Sequence, residues 1–499
     1  MELNEALKKF KENNALMEAY DHAMGVLYYD IETHAPKNAI TGFSETMGKL
    51  SEVTYGLSVN DERFAVLDLL TEHAAELDEI TRREVEEAQK GLKLLRSISV
   101  EDYVEYQKLM GESSAVWHEA KLKSDYEMFK PYLKRIVETL IKLARAAAPD
   151  MDPYDYWLNE HEEGFTQDVL DGYFKRIKEG LIPLIKRVGE KPQLDDGFVH
   201  KNYPIYLQRE FSKDVMDAMG INPDDCTLSE TEHPFTTGFN KHDVRITTHY
   251  HEDNLVSSMY SVIHEGGHAT YEMNTADELM GSPLAGGASS GMHESQSRFY
   301  ENIIGRSLAF CEIILPKMKE KFPEQLEGVT ALDLYRAVNK AEPSLIRTEA
   351  DELTYSLHVL IRYEVEKKLM HGELDVDGVP AEWNRLYKEY LGVDVPCDKQ
   401  GCLQDSHWSS GLIGYFPSYS LGSAYGAQIL DRMKEEMDIG SLVREGRIAE
   451  ITKWLTEHIY KYGMIKKPQE LLVICTGKTF EPEHYIKYLT EKFSELYGL

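Results

Sequence analysis

Residues 264–268 read His-Glu-Gly-Gly-His, and three of the five could do chemistry together. On a helix, positions i and i+4 share a face, so His264 and His268 can grip one cation between them. Glu265 lies about 100° further round, where it can reach a water on that cation without becoming a ligand. A zinc ion lowers the pKa of such a water towards about 7. The carboxylate can then take the proton during attack on a carbonyl and return it to the leaving amine. The spacing therefore points to metal-assisted hydrolysis. Ahead of the pair, Leu255, Val256, Met259, Tyr260, Val262 and Ile263 carry the helical period that this geometry needs. Gly266 and Gly267 work against it, since each costs a helix interior about 0.5–1 kcal/mol relative to alanine. Their expected use is to let a neighbouring backbone or a substrate approach the ligands closely.

A catalytic metal keeps one position open, so three protein ligands are expected and a third must be found. The longer pattern with another histidine is not met, because Tyr271 and Asn274 hold the places of its glycine and histidine. A carboxylate from a second helix is the common alternative. Glu272, one turn beyond His268 on the same helix, converges poorly on a tetrahedral centre. Glu294 and Glu301, in GMHESQSRFYEN, are seven apart on one helical face, and spacing alone does not choose between them.

Two further stretches hold groups that a peptidase would use. SLIRTEADELTYSLHVLIRYEVEK places Arg347, Asp351, Tyr355 and His358 on one helical stripe. Arg347 could bind a carboxylate bidentately, with Asp351 one turn on to fix its guanidinium. In GCLQDSHWSSGLIGYFPSYSLGSAYG, His407, Tyr415 and Tyr419 could donate hydrogen bonds to an oxyanion, although tyrosines packed in a core read the same way. The segment KHDVRITTHYH alternates strictly, with Asp243, Arg245, Thr247 and His249 on one face and Val244, Ile246 and Thr248 on the other. Such a strand, if exposed at an edge, can pair with an extended peptide.

The elements that must position these groups are mostly helical. Residues 1–185 read as successive amphipathic helices, for example 81–95 and 132–148, with breaks near Pro36, Pro149, Pro153 and Gly164. Shorter extended segments occupy 192–250, and helices resume after Leu255. No repeat, low-complexity tract or linker divides the chain. We read 1–499 as one domain, with 1–185 a helical scaffold and groove wall and 186–499 the catalytic part. The 499 residues hold 55 Lys and Arg against 86 Asp and Glu, a formal charge of −31, which excludes a nucleic-acid surface. The N-terminus is charged and amphipathic, and no apolar run is long enough to span a bilayer, so neither a signal peptide nor a membrane partner is expected. Five cysteines form an odd, sparse set that suits a reducing, cytoplasmic setting.

Six motifs, taken in order, resemble those of the M32 metallocarboxypeptidases, the family typified by carboxypeptidase Taq. They are HPF at 233–235, DVRIT at 243–247, HEGGH at 264–268, HESQ at 293–296, IRTEAD at 346–351 and GCLQDSHW at 401–408. Every fixed position of the family forms HPF, DxRxT, HExxH, HES/GQ, IRxxAD and GxxQDxHW is met. A looser stretch, YYDIETHAP, carries Tyr29 where the family has tryptophan. The resemblance implies a mainly α, gluzincin-like fold with a deep active-site groove and a small β-sheet near the HExxH helix. It implies zinc, replaceable by cobalt, on His264, His268 and Glu294, with Glu301 in a supporting place. Glu265 is then the general base, and Arg347 the grip on a substrate's C-terminal carboxylate, with His407, Tyr415 and Tyr419 assisting. His233, Asp243, Arg245 and Asp405 are expected substrate contacts. The implied activity is release of single C-terminal residues, with broad preference, from peptides with a free C-terminus, by a homodimer. The runner-up is a zinc oligopeptidase or dipeptidase that cuts short peptides internally with the same site. A non-catalytic metal-binding peptide carrier would need neither Glu265 nor an open coordination position.

Overall fold

The computed structural model describes residues 1–499, and its amphipathic stretches fold as twenty α-helices around a three-stranded sheet. The segment 81–95 lies within helix Glu79–Ser97, which Asp78 caps by accepting from the Thr81 N–H. The segment 132–148 overlaps helix Tyr126–Ala147, which buries Leu133, Ile136, Leu140 and Leu143 along one face. The mainly helical architecture expected from the sequence is the one observed. No helix is long and apolar enough to cross a membrane.

Two hydrophobic cores hold the chain together. The larger contains 100 buried residues between Leu109 and Tyr497. The first four helices, Leu3–Thr33, Ile40–Ser58, Asp61–Glu72 and Glu79–Ser97, contain a separate core of only seven residues, among them Phe10, Leu67 and Leu70. Helix Ile40–Ser58 buries no residue. This layer meets the rest of the molecule largely through polar contacts, such as Lys466 to Glu79 at 2.5 Å and Arg83 Nε to the Met464 carbonyl at 3.1 Å. Aromatic contacts of Tyr28 and Tyr29 with Phe235, and of His22 with Phe239, join it to the sheet.

The strands β1 (Cys226–Glu230), β2 (Thr236–Asn240) and β3 (Asp243–Thr248) lie in the order β1-β3-β2. β3 runs parallel to β1 and antiparallel to β2. Its Val244, Ile246 and Thr248 face is buried, as the alternation requires. Its edges are not free, however, and the expected peptide-pairing strand is the central one. Alternation reports which face is buried but not which neighbours flank the strand. The edge strands are β1 and β2, and Thr236 and Gly238 of β2 line the groove.

Three helices converge beside this sheet: Leu255–Met273, Ser290–Arg298 and Pro417–Met433. We call the first two the histidine helix and the glutamate helix. The glycines of HEGGH explain how closely they meet. A Cβ on Gly267 would lie 2.6 Å from Ser297 Cα and 3.0 Å from the Gln296 carbonyl oxygen. On the far side of the glutamate helix, a Cβ on Gly422 would lie 2.5 Å from Glu294 Cβ and 3.0 Å from the Gly291 carbonyl. Of the two uses foreseen for the glycines, the one found is the approach of a neighbouring backbone. Gly266 faces away from this contact, towards Met219 and Ile221. The glutamate helix starts at a cap made by Ser289, which accepts from the Met292 N–H. Buried Glu162 adds a second acceptor there, for the Gly291 N–H at 2.9 Å and the Ser289 hydroxyl at 2.9 Å.

Candidate active site

A groove of about 1490 Å³ runs over the histidine helix. Ser257, Ser261, His264, His268 and Glu272 recur every three or four residues, so one helical face forms its floor. His264 Nε2 lies 3.9 Å from Glu294 Oε1, and His268 Nε2 lies 3.8 Å from the same atom. The ligand atoms of these three residues fall within 4.8 Å of one another. Ligands about 2 Å from a central cation have this spacing.

The outer atoms of each ligand support that use. His264 Nδ1 is 2.8 Å from Glu301 Oε2, which fixes the proton on Nδ1 and turns the Nε2 lone pair inwards. Glu301 in turn accepts from Arg306 at 3.2 Å. Burial alone would raise the Glu301 carboxyl, yet the His264 hydrogen bond and the nearby Arg306 and Arg298 hold it well below the usual range. His268 Nδ1 is 2.7 Å from His293 Nδ1, and His293 Nε2 is 2.6 Å from Glu272 Oε1. With Nε2 of His268 facing the cation, its Nδ1–H donates to His293, whose Nε2–H donates to Glu272. Glu294 gives its second oxygen to Arg298 Nε at 2.9 Å and keeps Oε1 for the cation. The donor set fits a divalent metal.

Spacing left Glu294 and Glu301 equivalent, and both do face His264, one at each ring nitrogen. Between them the helix changes to a π-helical segment, Phe299–Gly305, whose extra residue alters the phase. Glu265, 8% exposed, lies on the groove beside the histidines, and its Oε2 accepts from the Thr236 hydroxyl at 2.6 Å. Burial raises its carboxyl, with His264 and the Thr236 bond pulling the other way. Thr236 escaped the sequence reading; its one signal is its place directly after the HPF motif.

Arg347 also lines the groove, but on different support from that expected. It sits in the short turn Arg347–Glu349, and the helix that follows begins only at Tyr355. Asp351 accepts from the N–H groups of Leu353 and Thr354 at 2.9 and 3.0 Å, ending any continuous stripe. His358 is fully buried against the Tyr387 hydroxyl, 3.1 Å away. The carboxylate that fixes Arg347 is Asp405, whose Oδ1 accepts from Nε at 3.0 Å and Nη2 at 2.9 Å. Asp405 Oδ2 accepts from Arg362, so this expected substrate contact is committed to two arginines. The Arg347 Nη1 donates to the Tyr355 hydroxyl at 2.8 Å.

Tyr415 and Tyr419 line the groove, and His407 stands behind them with Nε2 3.1 Å from the Tyr419 hydroxyl. Burial lowers His407 to about 4, so its ring is neutral near pH 7. His233, Asp243 and Arg245 are not brought to the groove. Asp243 and Arg245 form a bidentate pair at 2.8 and 2.9 Å, with the guanidinium near the Tyr29 and Phe239 rings, and His233 is exposed. Their motifs serve the sheet and its contact with the first helix.

A two-histidine, one-carboxylate cluster with a further glutamate beside it, set in a groove, has the donor set that a metal-dependent peptidase requires. The chain belongs to the carboxypeptidase Taq (M32) metallopeptidase family, whose profile matches residues 9–493. It is 39% identical over 503 residues to carboxypeptidase 1 of Bacillus subtilis (strain 168), covering 100% of both chains. It is 32% identical over 500 residues to thermostable carboxypeptidase 1 of Pyrococcus furiosus, covering 98% of this chain and 99% of the other. Among solved structures, the M32 carboxypeptidase from Deinococcus radiodurans R1 superposes with a TM-score of 0.95 at 32% identity, over 99% of this chain and 100% of that one. Trypanosoma cruzi metallocarboxypeptidase 1 gives 0.93 at 31% identity, over 99% and 100%. The protein is therefore a hydrolase of a metallopeptidase family, with peptides as its substrates.

Proposed function

We propose that the protein is a zinc carboxypeptidase that removes single residues, with broad preference, from peptides with a free C-terminus. The observation that carries this reading is the placement of Arg347 in the same groove as the His264, His268 and Glu294 centre. Zinc held by those three residues would supply Lewis acidity, polarising the scissile carbonyl and acidifying the attacking water. Cobalt could stand in its place.

Glu265 takes the proton as the water attacks and delivers it to the leaving amine nitrogen. Its hydrogen bond from Thr236 holds the carboxylate at one orientation through both transfers. Arg347 holds the terminal carboxylate, which fixes the scissile bond one residue from the chain end. Asp405 keeps that guanidinium in place from behind. Tyr415 and Tyr419 offer hydroxyls to the developing oxyanion, and neutral His407 orients Tyr419. Glu301 and the His293–Glu272 pair hold the two histidine rings in their tautomers. A cytoplasmic homodimer, each chain working as one catalytic unit, completes the proposal.

The test is Glu265→Gln. Turnover should fall by roughly 10³-fold or more with metal content unchanged, read by metal analysis and by mass-spectrometric laddering of a test peptide. Full activity in that variant sinks the scheme. Cleavage of a C-terminally amidated peptide as fast as the free acid would sink the exopeptidase reading alone.

A further inference from the structure

Arg298 ends the glutamate helix, lines the groove, and is only 11% exposed along its side chain. Its Nε donates to Glu294 Oε2 at 2.9 Å, and its guanidinium sits 3.9 Å over the Tyr355 ring. The terminal nitrogens Nη1 and Nη2 donate to no protein group, and neither is sealed off from the groove. A largely buried guanidinium with four idle N–H donors calls for an acceptor. Arg347 differs: all three of its nitrogens already donate to Asp405 or Tyr355, leaving one free N–H on each terminal nitrogen.

The two arginines meet at Tyr355, whose hydroxyl accepts from Arg347 and whose ring carries Arg298. We propose that Arg298 is a second grip on the substrate's terminal carboxylate, which sits between it and Arg347 with one oxygen towards each. The charges agree with this. Asp405 is shared between Arg347 and Arg362. The two carboxylates near Arg298 are shared as well, Glu294 with the cation its other oxygen would hold and Glu301 with His264 and Arg306, so neither groove arginine has a carboxylate to itself. Because Arg298 also holds a metal ligand, a carboxylate in its grip lies close to the metal centre, which is the register of single-residue release. The inference rests on the proposed preference for a free C-terminus.

The experiment uses the metal-loaded protein carrying Glu265→Gln, so that the ligand is not consumed. Binding of acetyl-Ala-Ala-Leu as the free acid and as the C-terminal amide is measured by calorimetry. Arg298→Gln added to that background should reduce the acid-over-amide preference roughly tenfold or more, with amide binding unchanged. Arg298→Lys, which keeps a charge and a donor for Glu294, should fall between. An unchanged preference, or equal weakening of acid and amide, overturns the proposal and leaves Arg298 as a support for Glu294. Should Arg298→Gln lose metal, the lysine variant decides on the same criterion. If Arg347→Gln removes the preference and the Arg298 variants keep it, this inference falls while the proposed function stands. If the background itself does not prefer the acid, both fall.

Discussion

The joint between the histidine and glutamate helices and the joint between the first four helices and the rest of the molecule are built by opposite means. The first is backbone against backbone, with Gly267 on Ser297 and the Gln296 carbonyl, and no side chain in between to adjust. The second is a set of ion pairs, such as Lys90 to Glu163 at 3.5 Å and Lys466 to Glu79 at 2.5 Å, with a few aromatic side-chain contacts on the sheet, beside a core of seven residues. Pairs of this exposure contribute about 0–1 kcal/mol each and weaken with salt. The ligand-bearing joint is rigid, while the layer facing the groove from the other side is soft. Arg83, Glu87 and Lys90 of that layer line the same groove as His264, His268 and Glu294.

Metal affinity, measured by chelator competition, ranks the ways to break this contrast. Gly267→Ala should do most, since its Cβ meets backbone that cannot rotate away. We expect affinity to fall about 100-fold or more, together with a loss of stability. His293→Ala should lower affinity by about 10–100-fold, because the His268 ring loses its partner and Glu272 its link to the site. Phe10→Ala should leave metal affinity within about twofold while weakening the small core by about 3–5 kcal/mol. That loss would appear as faster hydrogen exchange confined to residues 3–97. Exchange spread evenly over the chain, or a lost metal, would erase the contrast.

The smallest effect sharpens it with pH. Burial pushes the Glu162 carboxyl up to about 7 from its ordinary value of 4.5, against the hydrogen bonds of Gly291, Ser289 and Tyr425. The folded protein therefore holds this proton more tightly than the unfolded chain does. The group's contribution is fully present below about 4.5 and is lost as pH rises through about 7. Glu162→Gln removes that titration at the cap of the glutamate helix. The fall in Tm between those pH values should become shallower by a few degrees, though Glu366, also raised to about 7 by burial, keeps part of it. An unchanged slope would show that the cap does not titrate with folding.

Local pattern made some of this legible and not the rest. The clustering of His264, Glu265 and His268 on one side of the groove was readable because all three lie within two turns of one helix, where spacing is geometry. Glu294 could not be separated from Glu301 by spacing, since the π-helical turn between them leaves no clear trace in the residue pattern. The Arg347 stripe failed for a local reason that was on view: Asp351 is an acceptor placed three residues before Thr354, a signature of a helix start. Its true partner, Asp405, lies 58 residues on, and only tertiary packing brings the two motifs together. The same holds for β3, whose faces were legible and whose neighbours were not.

The glycine joint has a consequence for selectivity among cations. Glu294 and the two histidines come from helices whose separation is set by contact between main chains, so the gauge between Nε2 and Oε1 is fixed as in a calliper. Side chains can follow a small change in ionic radius, whereas a larger ion must separate helices whose main chains are packed in direct contact. Ions near the size of zinc should exchange freely in this site, whereas one as large as calcium, which takes more ligands at about 2.3–2.6 Å, would have to pry the joint apart.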